Sequence, residues 1–227
     1  MTTYHFQKAY ISFTFRSYDD LKESIGRYLA CVRKTWANLL INHAFHAFYI
    51  GLVFFWLARK SGDRPGDGQQ WNERGKLSKL ALKKWAESSS WTFENKWFLL
   101  EAEESFCNNN FDAAKIYYEK AIASAKDHKF INEEALACEL SAYFYLELGQ
   151  RDKALELFLL AHERYHEWGA FGKCTSLFEF VGSNFTSFIG SGITISNNGM
   201  GQESAPTNVD DGLLSSLDDA LQRHTAS

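Results

Sequence analysis

Apolar positions recur at helical spacing along almost the whole of the first 181 residues. The sharpest instance occurs twice: Ala114, Tyr118 and Ala121 return 40 residues later as Ala154, Phe158 and Ala161. Each triplet follows a turn, Asn108-Asn109-Asn110 and then Leu148-Gly149-Gln150. Each turn in turn follows an apolar run with a matching alanine, Ala102 and then Ala142. A period of this length points to stacked helical hairpins, because one hairpin cannot bury its own apolar face.

The same spacing predicts the remaining elements. A first hairpin covers about 3–15 and 19–34, with Asp19 as a helix N-cap. A second covers about 36–60 and 71–88, a third 93–108 and 111–126, and a fourth 132–148 and 151–168, with a terminal helix over 171–181. The only prolines, Pro65 and Pro206, lie in polar stretches, so nothing interrupts these helices. In the helix over 71–88, Leu77, Leu80, Ala81, Lys84 and Trp85 have the i, i+3, i+4 spacing of one buried stripe. Trp36, Trp56, Trp85, Trp97 and Trp168 fall on apolar stripes and are expected in the core.

At Gly182 the pattern stops. The stretch 182–208 is rich in Gly, Ser, Asn and Thr and cannot bury enough apolar surface to offset the entropy of ordering. The expectation is therefore an all-α domain over 1–181 and a disordered tail over 182–227. Within the tail, 210–223 places Leu213, Leu214, Leu217, Ala220 and Leu221 on one face of a short amphipathic helix.

Charge refines this division. The net charge is −4, and from Gly182 onward one basic residue, Arg223, stands against five acidic ones, so the helical body is balanced. Nothing in it resembles the basic field that a nucleic acid requires, and nucleic acid is not an expected partner. The four cysteines form no C-x-x-C pair, and the N-terminus has no charged region followed by an apolar core; both fit a reducing, cytoplasmic setting. The run Phe45 to Ala58 is shorter than the roughly 20 residues a membrane span needs, so no membrane association is expected.

The pattern Ala-x-x-x-Tyr/Phe-x-x-Ala after a Gly or Asn turn, faced by an upstream small residue, resembles the tetratricopeptide repeat (TPR). That resemblance implies a TPR-like α-α superhelix of about four helical hairpins plus a terminal helix, with Ala102 against Ala114 and Ala142 against Ala154 where helices approach. The family's period is about 34 residues. Longer helices and a longer connection at Asp127-His128-Lys129-Phe130 would absorb the difference. The segments Asn95-Lys96-Trp97-Phe98-Leu99-Leu100-Glu101-Ala102-Glu103, Asn110-Phe111-Asp112-Ala113-Ala114 and Tyr165-His166-Glu167-Trp168-Gly169-Ala170 resemble the helical-repeat region of large signalling proteins. In those proteins kinase-like and ATPase domains precede the repeats, and sensor (GAF) and histidine-kinase domains follow. None of that machinery is implied here, since the chain has no G-x-x-x-x-G-K-S/T loop and no kinase catalytic loop.

One motif offers chemistry. His162-Glu163-Arg164-Tyr165-His166 satisfies H-E-x-x-H, which on a helix puts His162 and His166 on one face as zinc ligands, with Glu163 as general base. Against a zinc hydrolase, Phe158, Ala161, Tyr165 and Trp168 claim the core side of that helix, and no strands are predicted to form a cleft beside it. The preferred expectation is therefore a non-catalytic interaction or spacer module of signal-transduction type, with no enzyme activity, metal or cofactor. By TPR geometry its concave groove would present Leu99, Glu103 and Phe106 from one repeat and Glu139, Tyr143 and Glu147 from the next. Carboxylates interleaved with aromatics would favour a basic or amphipathic peptide or protein.

Overall fold

Phe111, Ile131, Arg151 and Phe171 each begin a helix, and each lies 20 residues after the last. The computed structural model describes residues 2–32, 41–61 and 66–193, with side chains left aside at 41–43 and 186–193. Trp36 and the segment 210–223 lie outside the described residues. The chain divides into two units, Met1–Phe180 and Val181–Ser227.

The described residues form nine helices and no strand, so the protein is all-α. The helices are α1 (Thr2–Thr14), α2 (Tyr18–Val32), α3 (Ile41–Lys60), α4 (Asp67–Ser88), α5 (Ser90–Cys107), α6 (Phe111–Asp127), α7 (Ile131–Glu147), α8 (Arg151–Glu167) and α9 (Phe171–Ile193). Helix α9 runs past the expected end at Val181, so the polar composition from Gly182 did not stop it there. The rest of the tail lies outside the described residues.

The 40-residue period has a simple origin. Helices α6, α7 and α8 are each 17 residues long, and the turns between them hold three residues. Each of these turns, and the flanking ones before α6 and after α8, places one residue in the left-handed region: Asn109 (φ 58°), Lys129 (φ 62°), Gly149 (φ 75°) and Gly169 (φ 83°). The next N–H then reaches back to close the helix, as from Asn110 to the Ser105 carbonyl at 2.8 Å and from Gln150 to the Tyr145 carbonyl at 2.9 Å. The connection at His128 to Phe130 is no longer than the others, contrary to the longer connection expected there.

Within pairs, α1 packs on α2, α3 on α4, α5 on α6 and α7 on α8; between pairs, α4 packs on α5 and α6 on α7. The repeated small and aromatic positions lie at the centre of these contacts, with Ala102, Ala114, Tyr118, Ala142, Ala154, Phe158 and Ala161 all fully buried. The first pair joins the stack through α1, which lies alongside α3. Phe6 stacks on His46 at 3.8 Å, Tyr10 meets Tyr49 at 4.7 Å, and Phe13 meets Trp56 at 5.9 Å.

Two expectations about buried faces change. Helix α4 buries Gly75, Leu82 and Ala86, whereas Leu77, Leu80, Ala81 and Lys84 of the expected stripe face solvent. Close approach decides this: a Cβ on Gly75 would sit 2.5 Å from the Phe55 ring, and one on Gly51 3.1 Å from Ser78 Cβ. Small residues therefore set the α3–α4 seam, and the leucines are left outside. Trp56 is buried as expected, but Trp168, at the α8–α9 turn, is exposed.

Candidate functional site

Four of the six residues expected to line an open groove lie in the interior. Leu99, Glu103, Phe106 and Glu139 are buried, Tyr143 is half-buried, and only Glu147 is exposed. The two buried carboxylates each have a tyrosine and a cation for partners. Glu103 accepts a hydrogen bond from Tyr118 Oη at 2.5 Å and pairs with Arg59 Nη1 at 2.7 Å. Glu139 accepts from Tyr165 Oη at 2.8 Å and from Lys173 Nζ at 2.7 Å. The Arg59 guanidinium also lies 4.3 Å over the Phe106 ring.

These clusters hold helices together. Glu103 joins α5 to α6 and α3, and Glu139 joins α7 to α8 and α9. Burial, and next to it the adjacent carboxylate, pushes Tyr118 and Tyr165 well above the usual phenol range, so both remain protonated donors. For Arg59, burial opposes the charged form, but Glu103, Tyr118 and Glu147 together outweigh it and raise the pKa. Further ties include Lys79 to Glu101 and Glu104, and Lys96 to Glu133. The expected row of carboxylates facing a ligand is thus absorbed by the protein's own cations, two of which, Arg59 and Lys173, come from helices other than those of the repeat pair. Glu147 makes a long contact, 3.9 Å, to Lys60.

The H-E-x-x-H segment forms the last turns of α8. His166 is exposed with its ring against Phe171 at 5.4 Å, and Glu163 pairs with Arg164 at 2.8 Å. The His162 carbonyl accepts a weak contact from Cys174 Sγ at 3.7 Å. Among the described residues, no group of three or more His, Cys, Asp or Glu side chains comes together to hold a metal ion. Among them also, no helix is long and apolar enough to cross a membrane.

An open apolar surface lies on α4, on the side expected in the core. Leu77 and Leu80 on α4 are 68% and 54% exposed. Beside them a groove of about 540 Å3 runs between α2 and α4 and is lined by Leu29, Ala30, Val32, Phe54, Trp71 and Leu77. Arg74 borders it, with its guanidinium 5.2 Å over the Trp71 ring. The signal for this placement was present in Gly75, whose position on the face opposite Leu77 and Leu80 marks where a helix can approach closely.

No protein-family profile, curated protein or solved structure matches the chain.

Proposed function

We propose that this chain is a non-catalytic, TPR-like interaction module of the signal-transduction kind, and that its partner-facing surface is the outward stripe of α4 with the adjoining α2–α4 groove. The observation that carries this reading is the exposure of Leu77 and Leu80 beside an apolar groove. An exposed apolar stripe beside an apolar groove marks a place where another surface docks. The stack behind it is tied across hairpins by ion pairs, which makes it a rigid platform. The partner class that fits is an amphipathic helix that lays leucine-sized side chains into the groove, in the manner of helix-in-groove recognition. A carboxylate on that helix would meet Arg74.

A photo-crosslinking residue placed at Leu77 should give discrete protein adducts in cell extract, identifiable by mass spectrometry. The same residue at Lys115, on the exposed side of α6, should not. Equal labelling at both positions, or none at Leu77, would rule the surface out.

A further inference from the structure

The outward side of α4 is complementary to itself. Glu73, Leu77, Leu80 and Lys84 are all exposed and follow one another at i, i+4, i+7 and i+11, the alternating spacing that forms a single seam along a helix. The seam has leucines at its centre, an acid toward the helix N-terminus and a base toward its C-terminus. Glu73 and Lys84 are equidistant from the point midway between Ser78 and Lys79, and so are Leu77 and Leu80. That point lies close to the middle of α4, which runs Asp67–Ser88. A twofold axis through it would lay a second α4 antiparallel on the first. Leu77 would then face the partner's Leu80, and Glu73 the partner's Lys84, each pairing occurring twice.

The charges are available for this. Glu73 meets Lys76 of its own helix at 2.8 Å through Oε1, but its side chain is 59% exposed and Oε2 is left for a second cation. Arg74 and Lys83 are like charges that the same axis would match, but they lie about 90° around the helix from the seam. Each is also placed over a ring of its own chain, Arg74 at 5.2 Å from Trp71 and Lys83 at 5.9 Å from Trp97. The leucines therefore meet leucines, and opposite charges close both ends of the contact.

We propose that α4 is the interface of a homodimer, in which two copies of the helix pair antiparallel through Leu77 and Leu80 and are set in register by Glu73 and Lys84. A contact of this kind is isologous, the same patch serving both subunits. The proposal rests on the reading of α4 as the partner-facing surface and names the partner as a second copy of this chain. One helix pair is at the small end of specific interfaces, so the dimer forms reversibly as concentration rises.

Sedimentation velocity of the full chain over a concentration series should show monomer converting to dimer. Glu73→Lys and Lys84→Glu each put like charges opposite one another at both ends, and each variant alone should associate about tenfold more weakly. Mixed in equal amounts, the two variants recover both opposite-charge pairs and should associate as tightly as the native chain, a result that misfolded variants could not give. Leu77→Asp should abolish association with helicity unchanged by circular dichroism. A native chain that stays monomeric at every concentration, charge variants that dimerise as the native chain does, or a mixture no tighter than its components would each overturn the dimer. If a monomeric chain still labels a different protein from a crosslinker at Leu77, the dimer is overturned and the α4 surface stands; with no adduct of either kind, both are overturned.

Discussion

Glu103 shows what a buried charge does in this protein. Its carboxylate is 2% exposed and meets Arg59 and Tyr118, side chains from two other helices. Replacing it with Gln keeps the shape and a hydrogen-bond acceptor for Tyr118 but leaves the Arg59 guanidinium buried without a counter-charge. Removing one member of a buried pair costs about 3 kcal/mol, and urea unfolding of Glu103→Gln should show a loss of that order. A change below about 0.5 kcal/mol would mean that the pair is effectively solvated. The charge and spacing of Glu103 and Glu139 were legible in the chain, and so was their position on the first helices of their hairpins. Their partners were not, because Arg59 lies 44 positions from Glu103 and Lys173 lies 34 from Glu139. Periodicity describes one helix at a time and carries no information on which distant cation arrives.

At the scale of the element, helix boundaries followed closely from apolar spacing and turn residues, with α6 and α8 starting where expected. The repeated alanines and aromatics also went where the spacing placed them, since small residues facing each other permit close helix approach. The face of α4 did not follow, for a reason of geometry. Counting large apolar residues selects Leu77, Leu80 and Trp85, whereas packing selected the side where Gly75 lets Phe55 come close. A pair of substitutions separates these choices. Gly75→Ala should destabilise by about 1–3 kcal/mol through overpacking, even though alanine favours a helix by about 1 kcal/mol. Leu80→Lys should stay within about 0.5 kcal/mol, as an exposed substitution does. Thermal denaturation checks both, and a reversal of the two results would return the leucines to the core. Lys129 taught a related lesson: nothing in a lysine announces a left-handed turn, but its place midway between Asn109 and Gly149 does.

For the whole molecule, the buried tyrosines predict an alkaline limit to stability. Tyr118 and Tyr165 have folded pKa values raised above the unfolded value of about 10, so the folded chain retains protons that the unfolded chain releases. Their contribution is fully present below about pH 10 and is lost as pH rises through the folded values. Denaturant midpoints should therefore fall steeply above pH 10, and the double variant Tyr118→Phe, Tyr165→Phe should flatten that fall. An equally steep loss in the variant would place its origin elsewhere. The sequence by itself determined the all-α class, the hairpin order and the 40-residue period, because helix spacing, turn residues and small-residue contacts are local properties written within a few tens of residues. The tertiary structure alone decided which face of α4 stays open, how Glu103 and Glu139 are neutralised, and that α1 packs along α3 with the Thr14 carbonyl held by Lys173. Those outcomes depend on close approach between helices and on contacts as distant as Thr14 with Lys173, and no local pattern encodes them.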